Sequence, residues 1–576
     1  MTNEDVALEF EQIADLLEIK GESAFRVNNY RRAARTIDDL DEDLSEIAAR
    51  NELPALPGVG KSIAAKIQEL LDTGAMGFRA ELTQEVPETV LTLLEIPGLG
   101  PKKAAALWQK KSIATLDRLK TAIEAGELGD LKGFGKKTLA TILSGIEFLQ
   151  RAVGRTRLGD ALEAAADLCG AISKMEGVTR VEQAGSLRRG CETAGNIDLL
   201  CRAENGKAVV EQFTRIPGVS KILAVDDAWG SVLFEWRPRK TIQVDLRVAS
   251  SVSFGPAWQY FTGSKTHNAR LARLATERGL RLDETALVDV KTKRTLPAPD
   301  EEAVYRALDL PWIPPELRED RGEFEPGAPP ADLLRPEHIR GDLHMHTVAS
   351  DGRSTVEEMA EAARALGYQY ICITDHSQSS TIANGLTPER LEGMIAEVRE
   401  VDRKIADIEV WIGTEVDIRA DGSLDYEDEL LARLDFVVAS IHSGLSKDLK
   451  TNTDRTIAAI HNPYVNAIGH PTGRMINARK PMQLDIEAIC REAAAAGAAL
   501  EINAGPYRLD LKDEHARLAR DLGAMLVVCT DAHGAERLDR ITYGVTTARR
   551  AWLRKQDVLN TRSAKEIKQF VQAKRT

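Results

Sequence analysis

The sequence predicts a multidomain fold with three regions: an all-α N-terminal region, an α+β middle region, and a C-terminal α/β region whose parallel sheet closes as a distorted TIM-like barrel. Three observations predict it. Apolar residues recur at helical spacing to about residue 155, with glycine and proline between helices and without β-branched runs. Short β-type runs follow helical segments from about residue 158. After residue 338, near-continuous apolar strands alternate with helices.

The composition is that of a globular protein with several cores: of 576 residues, 43% are apolar and 29% are charged, and the net charge is −13. The sequence has no apolar run of about 18 residues and starts with acidic residues, so we expect a cytoplasmic protein with no membrane partner. The six cysteines form no Cys-x-x-Cys pair, which argues against a disulfide framework and a thiolate zinc site. No region of the chain is basic as a whole, so any DNA contact must rest on local clusters and backbone donors.

Three segments of the helical region, residues 56–64, 96–104 and 131–139, share a Gly-x-Gly turn between two helices. Paired glycines allow positive φ and close approach of a ligand, and free N–H groups at the next helix attract a phosphate. One copy is equally well explained as a helix C-cap and turn, but three copies, two beside lysine clusters, favour DNA-binding helix-hairpin-helix motifs. Gly60-Lys61-Ser62 is not a P-loop, because Ala55 stands where the first P-loop glycine would be. The predicted DNA-binding residues are Gly58, Gly60, Gly98, Gly100, Lys102, Lys103, Gly133 and Gly135.

A proline-rich segment separates the middle region from the C-terminal region. Seven of the 22 prolines lie between residues 310 and 337 in a polar context, which predicts an extended linker and two halves that move independently. The C-terminal region has its own chemistry, since nine of the ten histidines lie from His338 onward.

In the C-terminal region, a histidine or an acid repeatedly follows an apolar strand-like run. Chemistry in βα barrels sits at the C-terminal ends of the strands, and alternation places His344 and His346 on one face of a strand end. A single such histidine is more often structural, whereas this repeated set with aspartate and glutamate suits Zn²⁺, Mn²⁺ or Fe²⁺. His338, His461 and His515 lack this context, and we expect them on the surface or in the core. The predicted metal ligands are His344, His346, Asp351, His376, Glu415, His442, His470, Asp531 and His533.

Several blocks of the sequence resemble the family X DNA polymerases. Residues 25–34 with the first hairpin resemble the N-terminal lyase domain of that family, residues 185–198 with Asp245 resemble its palm, and residues 260–268 resemble the nucleotide-binding segment of its thumb. The histidine and acid set resembles the PHP (polymerase and histidinol phosphatase) domain, so the resemblance covers nearly the whole chain in the bacterial arrangement of polymerase followed by PHP domain. It implies a lyase-like DNA-binding domain at 1–80, helical fingers at 81–155, a nucleotidyltransferase palm at 156–250, a thumb at 251–315, the linker at 316–337 and a PHP phosphoesterase domain at 338–576.

The resemblance implies a polymerase site that takes deoxynucleoside triphosphates. Ser186 and Arg189 would hold the triphosphate, while Asp198 and Asp245 would hold Mg²⁺ or Mn²⁺ for attack by a primer 3′-hydroxyl. Asn196 departs from the aspartate of the family and is a neutral, weaker ligand, so we expect polymerisation that is weak or depends on Mn²⁺. The thumb residues implied in nucleotide binding are Tyr260, Phe261, Gly263 and Asn268.

In the lyase-like domain, the resemblance implies that Lys66 is a Schiff-base lysine, with Arg26, Tyr30 and Arg31 around a 5′-phosphate. A lysine nucleophile needs a pKa lowered by burial or by nearby cations. The sequence alone leaves open that Lys66 is an ordinary surface lysine of a helix.

For the PHP domain, the resemblance implies three divalent cations: Mn²⁺, Zn²⁺ or Fe²⁺. One would be held by His344, His346, Glu415 and Asp531, a second by Glu415, His442 and His470, and a third by Asp351, His376 and His533. Such a centre produces hydroxide from bound water at neutral pH and holds a phosphodiester oxygen. The candidates for orienting the phosphate are Arg474, Asn503, Tyr507 and Arg508.

Together these features predict a DNA repair enzyme that fills gaps and degrades DNA from 3′ ends, with gapped DNA or DNA with 3′ ends as its partner. Two other hypotheses stay open. In the first, the N-terminal half only binds DNA ends and delivers them to the nuclease; Asn196 favours this scaffold, and the retained Ser186 and Arg189 oppose it. In the second, the C-terminal region is a phosphatase for a small ester, which the hairpins oppose.

Overall fold

The structure is a computed structural model that describes residues 1–576 apart from residues 2, 39, 41, 97, 98, 153, 238 and 239, and apart from the side chains of residues 4 and 148–152. Gly98, one of the predicted hairpin glycines, therefore lies outside the described residues. The chain forms two compact units. The first comprises Met1–Gly154, Glu235–Thr241 and Asn477–Arg479, and the second comprises the rest of the chain.

The described residues of the N-terminal region form helices joined by turns, as their apolar spacing predicts. The helices are α1 (Asn3–Lys20), α2 (Ala24–Asp38), α3 (Leu44–Ala49), α4 (Lys61–Thr73), α5 (Gly77–Glu85), α6 (Leu91–Leu94), α7 (Pro101–Lys111), α8 (Leu116–Glu124) and α9 (Lys136–Ala152). Phe10, Ile37 and Ile67 are fully buried in one apolar core that the helices share. Gly60 and Gly100 are the N-cap residues of α4 and α7, so these two predicted turns lead into helices.

A mixed sheet follows along the chain. Its elements are β1 (Thr156–Arg157), α10 (Leu158–Ile172), β2 (Arg180–Gln183), α11 (Gly185–Arg188), β3 (Thr193–Ala194), β4 (Asn196–Arg202), α12 (Gly206–Phe213), β5 (Val219–Asp226), β6 (Trp229–Arg237) and β7 (Lys240–Ala249). Five strands form a sheet in the order β2-β4-β7-β6-β5. Because β4 and β7 are parallel neighbours, Asp198 lies opposite Asp245.

A smaller helical and β region follows: α13 (Phe254–Thr262), α14 (Lys265–Glu277), β8 (Leu280–Leu282), β9 (Leu287–Asp289), β10 (Thr295–Leu296) and α15 (Glu301–Ala307). The proline-rich residues 316–337 pack against it. Arg318 is fully buried and donates to Glu301 Oε1 at 2.6 Å, and Leu333 shares an apolar cluster with Tyr305 and Trp552. The segment thus differs from the extended linker that its prolines predict, because a buried ion pair and apolar side chains fasten it to its neighbours.

The C-terminal region is a nearly closed barrel of seven parallel strands, which neighbour one another in sequence order. Its elements are β11 (Gly341–Asp342), α16 (Val356–Ala365), β12 (Tyr370–Ile373), α17 (Pro388–Lys404), β13 (Glu409–Asp417), α18 (Asp428–Leu431), β14 (Phe436–Ser440), α19 (Leu449–His461), β15 (Ala467–Ile468), α20 (Ile486–Ala496), β16 (Ala499–Asn503), α21 (Asp513–Asp521), β17 (Met525–Cys529), α22 (Ile541–Arg550) and α23 (Ala564–Arg575). A parallel bridge between Met345 and Ala532 joins the chain after β11 to the chain after β17. The first and the last strand therefore meet.

Apolar residues on both faces of the strands hold the barrel together. Ile371 and Val410 belong to a core cluster shared with the helices, whereas Tyr370 and Trp411 belong to a second cluster that includes Ile567 of α23. The Tyr370 and Trp411 rings stack with centroids 4.7 Å apart. Within the described residues, no helix is both long and apolar enough to cross a membrane.

Candidate active sites

The Gly-x-Gly turns present helix N-termini to a ligand. Among the described residues, no side chain caps α4 or α7, so their first N–H groups keep the capacity to bind an anion. Gly58 has φ of +77°, and a Cβ there would lie 2.7 Å from the Arg32 side chain, so the turn requires glycine. Gly133 has φ of +92° in the third turn, just before Gly135, and Lys102 is exposed in the first turn of α7, next to Lys103. This arrangement suits contact with a DNA backbone.

Lys66 lies on α4 beside a stack of aromatic rings. Its Nζ is 5.1 Å from the centroid of Phe78, and that ring stacks on Tyr30 at 5.8 Å. Tyr30 is buried, and Arg31 forms ion pairs with two acids of α1 at 2.7 and 2.9 Å. Of the three residues implied at the 5′-phosphate, Arg26 is the exposed cation nearest to this stack, with its guanidinium 5.5 Å from the Phe78 centroid.

The two palm carboxylates, Asp198 and Asp245, lie side by side on β4 and β7. Burial and the neighbouring charge of Asp245 raise the pKa of Asp198 to about 6. Asn196 donates from Nδ2 to Asp198 Oδ1 at 3.0 Å and to Asp245 Oδ2 at 2.7 Å, and Gln243 also donates to Asp245. The two carboxylates fit a divalent cation, whereas the amide hydrogens of Asn196 and Gln243 lie on oxygens that such a cation would take. Gly185, the first residue of α11, has φ of +62°, and a Cβ there would lie 2.0 Å from Asp198 Oδ2, so this position requires glycine.

The residues implied in triphosphate binding are engaged with the α13 segment. Arg189 donates from Nη1 to Thr262 O at 2.6 Å, and its Nε is 3.0 Å from Glu319 Oε1. Asn268 donates from Nδ2 to Tyr260 O at 2.7 Å. A triphosphate at Arg189 would therefore replace Glu319 as the anionic partner of this arginine.

Three further predicted residues surround this position. Ser186 is half-buried in α11, three residues before Arg189. Phe261 meets the Tyr260 ring edge-on, with centroids 5.3 Å apart. Gly263 has φ of +69°, and a Cβ there would lie 3.2 Å from Arg189 Nη1, so glycine leaves room for the guanidinium.

The predicted ligands of the barrel converge at the C-terminal ends of its strands. Glu415 lies at the centre: its Oε1 is 2.8 Å from His470 Nε2 and 3.3 Å from His442 Nε2, and its Oε2 is 2.9 Å from His376 Nδ1. Glu415 and His470 are 55 positions apart in the chain, and the parallel register of the strands brings them together. Asp351 is more exposed than Glu415, and its Oδ1 lies 3.6 Å from His376 Nε2.

Barrel closure brings together the predicted ligands that follow the first strand, β11, and the last strand, β17. His346 donates its backbone N–H to Ala532 O at 2.8 Å, and its Nε2 is 3.0 Å from Asp531 Oδ1. His533 Nε2 lies 3.4 Å from Asp351 Oδ1. Within the part of the chain that the structure describes, three subsets have ligand atoms within 4.8 Å of one another: His346, Asp351, His376 and His533; His344, His346 and Asp531; and His376, Glu415 and His442.

This grouping differs from the sets that the family resemblance implies. The subset with His344 lacks Glu415, and His470 lies in none of the three subsets. His376 joins Glu415 as well as Asp351, because residues 376 and 415 pair across a parallel bridge. His346 likewise joins both Asp351 and Asp531. The side chains thus form one continuous cluster in which His346 and His376 are shared, whereas the implied sets share Glu415 alone.

The cluster has the properties of a metal site. Among the described residues, His344 Nε2, both ring nitrogens of His346 and Glu415 Oε2 are buried without a partner in hydrogen-bonding geometry, although charged side chains lie close to them. Buried polar atoms in that state are rare in proteins, and imidazole with carboxylate is a donor set for Zn²⁺, Mn²⁺ and Fe²⁺. The residues therefore fit divalent metal ions.

Electrostatics favour cations at the same place. Burial raises the pKa of Glu415, but the positive charges of His442 and His344 lower it more, so that it lies well below its usual range. Burial and the charges of neighbouring histidines lower the pKa of His346 to about 3. Burial alone would lower the pKa of His442, but Glu415 and Asp417 raise it to about 10. The central acid thus stays ionised and able to bind a cation.

Two acids to which the sequence analysis assigns no role contact the Nδ1 atoms of predicted ligand histidines. Glu501 Oε1 lies 2.7 Å from His344 Nδ1, and Asp417 Oδ1 lies 2.7 Å from His442 Nδ1. Such contacts fix the tautomer and the ring orientation of a ligand histidine. The sequence carries a signal for both: each acid lies near the end of an apolar strand, and Asp417 follows Glu415 by two residues on β13.

The residues expected to orient a phosphate divide into two groups. Arg508 Nε is 3.7 Å from Asp531 Oδ2, and Asn503 donates to the same oxygen at 3.0 Å, so both adjoin the cluster. Arg474 instead donates from Nε to Arg508 O at 3.0 Å and from Nη2 to Leu509 O at 2.5 Å. Arg474 therefore contacts the backbone that carries Arg508.

Comparison with known proteins agrees with this geometry. Four family models match: "Helix-hairpin-helix domain" at residues 1–76, "SAM-like Helix-hairpin-helix tandem" at 90–147, "DNA polymerase beta thumb" at 257–319 and "PHP domain" at 342–505. The chain is 37% identical over 571 residues to the DNA polymerase/3′-5′ exonuclease PolX of Bacillus subtilis (strain 168), with 99% of each chain covered. The chain belongs to the PolX family.

The predicted PolX-type enzyme class, DNA polymerase and 3′-5′ exonuclease with a C-terminal PHP domain, is thereby confirmed, as is the predicted fold class. Other relatives of this PolX-family chain match a smaller share of it. A probable phosphatase of Thermoanaerobacter sp. (strain X514) is 31% identical over 245 residues, which cover 41% of this chain and 95% of the phosphatase. One of Caldanaerobacter subterraneus subsp. tengcongensis is 31% identical over 249 residues, 41% and 91% of the two chains.

Proposed function

We propose that this PolX-family protein is a DNA repair enzyme whose barrel degrades DNA from the 3′ end by metal-dependent phosphodiester hydrolysis. The observation that carries the proposal is the convergence of the predicted histidine and acid ligands around Glu415. Gapped DNA or DNA with 3′ ends suits the hairpin turns of the first unit, and such a substrate agrees with the cytoplasmic location expected from the sequence.

In this proposal, the converging ligands would hold Mn²⁺, Zn²⁺ or Fe²⁺ ions, with Glu415 common to two of the ligand sets that the family resemblance implies. When bound, they supply hydroxide at neutral pH and neutralise charge on the phosphodiester oxygens. Glu501 and Asp417 keep His344 and His442 oriented through their Nδ1 atoms. The guanidinium of Arg508, beside Asp531, binds the scissile phosphate and stabilises the charge that develops on it.

The test uses 5′-labelled DNA and Mn²⁺, with products separated on a sequencing gel. We expect His344→Ala to slow shortening by at least about 100-fold, because the ligand and its contact to Glu501 are both lost. The matched control is His461→Ala, which removes an exposed barrel histidine that pairs with Glu492 outside the cluster. Equal shortening by wild type and His344→Ala would contradict the proposal. Faster hydrolysis of a small chromogenic ester than of DNA would support a phosphatase instead, the activity named for the two shorter relatives.

We propose gap-filling DNA synthesis as the second activity, weak or dependent on Mn²⁺. Asp198 and Asp245 would hold Mg²⁺ or Mn²⁺, and Ser186 and Arg189 would bind the triphosphate of the incoming nucleotide. Asn196 supplies an amide where a third carboxylate would strengthen the site, and Mn²⁺ tolerates mixed ligands better than Mg²⁺ does. Longer products from a primer on one-nucleotide-gapped DNA, with more product in Mn²⁺ than in Mg²⁺, are the expected result.

A non-polymerising scaffold is the second candidate, and a specific contact favours it: Asn196 donates to both palm carboxylates. In this case the N-terminal half delivers DNA ends to the nuclease. A titration with deoxynucleoside triphosphates and Mn²⁺ distinguishes the two functions. A polymerase binds them in preference to ribonucleoside triphosphates or inorganic triphosphate, and a scaffold shows no such preference.

The lyase activity of Lys66 also remains a proposal. The support is its place on α4, over the Phe78 ring that Arg26 shares. Borohydride trapping on DNA with a 5′-deoxyribose phosphate tests it. We expect a covalent adduct with wild type and with the control variant Lys61→Ala, and none with Lys66→Ala; equal trapping by all three would contradict the assignment.

A further inference from the structure

The loop that carries Arg508, residues 505–509, is in contact with the palm. Gly159 lies in the first turn of α10, and a Cβ there would be 2.7 Å from Pro506 Cβ and 3.7 Å from the Tyr543 ring. The helix backbone therefore lies directly against the 505–509 loop. Glycine at residue 159 is what permits this approach.

A second contact reaches the same loop through Arg474. The side chain of Arg474 is 10% exposed, and two of its nitrogens donate to the carbonyls of Arg508 and Leu509. Its Nη1 is 2.7 Å from Oε2 of Glu192, an acid of the palm. The carbonyl of Glu192 accepts from the N–H of Leu158 at 3.0 Å, which ties this acid to the start of α10.

The positive charge of Arg474 explains why the carboxylate of Glu192 matters for the 505–509 loop. A nearly buried guanidinium is costly unless an opposite charge is close, and two neutral carbonyls do not supply one. Glu192 forms the ion pair with Arg474, and the buried Asp510 interacts electrostatically with the same guanidinium, so the planar fork of Arg474 has its partners in fixed directions. Without Glu192, Arg474 gains by turning toward water, and the loop loses the two hydrogen bonds that fix its carbonyls.

We propose that Glu192 and Arg474 are positioning residues of the barrel nuclease. The palm acid holds the Arg474 fork, the fork holds the 505–509 loop, and the loop holds the Arg508 guanidinium at its place beside Asp531. The proposal rests on the nuclease function proposed above. It makes the palm surface a component of the nuclease, although Glu192 touches neither a metal ligand nor the phosphate.

The test uses the full chain and measures steady-state shortening of 5′-labelled DNA. We expect Glu192→Gln and Arg474→Lys each to lower kcat about tenfold, with KM for DNA and bound metal within about twofold of wild type, because a displaced catalytic guanidinium costs rate rather than binding. The matched control is Glu316→Gln. Glu316 pairs with another barrel arginine, Arg549, at 2.7 Å, and that arginine donates to Leu334 O instead of the 505–509 loop. We expect this variant to keep the wild-type rate.

A double variant separates positioning from general stability. If Glu192 acts through Arg508, adding Glu192→Gln to Arg508→Ala lowers kcat by less than about twofold further, whereas independent effects multiply. Multiplying effects, a wild-type rate for Glu192→Gln, or loss of metal from it would each overturn the proposal. Shortening that survives His344→Ala, or a wild type without shortening, would overturn the nuclease function itself and this proposal with it.

Discussion

Asn196 sits between two carboxylates that would otherwise repel each other. Its amide donates to both, which neutralises some of their charge without a cation. The pKa of Asp198 is nevertheless raised to about 6 by burial and by Asp245, so the pair keeps a strong tendency to acquire positive charge. A proton, a metal ion or the Asn196 amide can each bind the carboxylate oxygens of Asp198 and Asp245, and the three compete for them.

Replacing Asn196 with aspartate should shift this competition toward the metal. We expect Asn196→Asp to increase primer extension in Mg²⁺ at least about tenfold, because a third carboxylate replaces an amide donor at the cation site. Extension on one-nucleotide-gapped DNA measures it. Asn205→Asp is the control, since Asn205 caps α12 and aspartate caps equally well. No gain in extension for Asn196→Asp would contradict the weakened-metal interpretation.

Glu501 offers a comparable test in the barrel. We expect Glu501→Gln to weaken metal binding by about 10–100-fold, because the charged partner of His344 Nδ1 is lost while its shape is kept. Titration with Mn²⁺ or Zn²⁺ and direct measurement of bound metal checks it. Glu492→Gln, which removes the acid beside the exposed His461, is the control. An unchanged affinity of Glu501→Gln for the metal would show that the charge of Glu501 does not contribute to metal binding through His344.

Sequence patterns predict the side chains of the barrel cluster better than they predict the residues that orient those side chains. His344 and His346 stand at a strand end within a repeated motif, so their common direction follows from alternation. Glu501 meets His344 across 157 positions of the chain, and Glu192 meets Arg474 across the boundary between palm and barrel. No local pattern carries such a pairing, because it depends on barrel closure and on docking of the palm.

Between elements, a buried ion-pair network joins α11 to α15. Glu301 accepts two hydrogen bonds from Arg188 and two from Arg318, the buried arginine of the proline-rich segment. Burial raises the pKa of Glu301, but the charges of Arg318 and Arg188 outweigh burial and lower it to about 2. The sequence does not predict the packing of residues 316–337, because their composition indicates an extended chain, whereas a buried arginine ion pair and apolar side chains fasten the segment to distant residues.

Removing the acid of this network should destabilise the second unit. We expect Glu301→Gln to lower the free energy of unfolding by about 3 kcal/mol at pH 7, because two arginines lose their shared counter-charge. The pKa of Glu301 is lower in the folded state, so its stabilisation is present above about pH 4.5 and is lost as the pH falls toward 2. Urea unfolding should therefore show a smaller difference from wild type at pH 3.5 than at pH 7. The control is the exposed neighbour Glu302→Gln, and a constant difference across pH would contradict the argument.

At the scale of the whole molecule, metal binding to the barrel should increase the free energy of unfolding. We expect Mn²⁺ or Zn²⁺ at 100 times its dissociation constant to stabilise the folded chain by about 2.7 kcal/mol, and chelation to remove that gain. Glu415→Gln should abolish most of the shift in melting temperature. Glu501, Glu415 and Asp531 raise the pKa of His344 well above its usual range, so a metal there must displace a proton. At one fixed metal concentration the shift should therefore be larger at pH 8 than at pH 6, and an equal shift in Glu415→Gln would contradict the site.

Closure of the barrel between Met345 and Ala532 also sets an order of events during synthesis. The first ligand pair is made early, but Asp531 and His533 reach it only when β17 has left the ribosome and docked beside β11. The hairpin helices and the palm of a growing chain are therefore made before the histidine and acid cluster of the barrel is complete. Under the nuclease function proposed above, the hydrolytic centre would therefore be incomplete until β17 and the residues that follow it have been made.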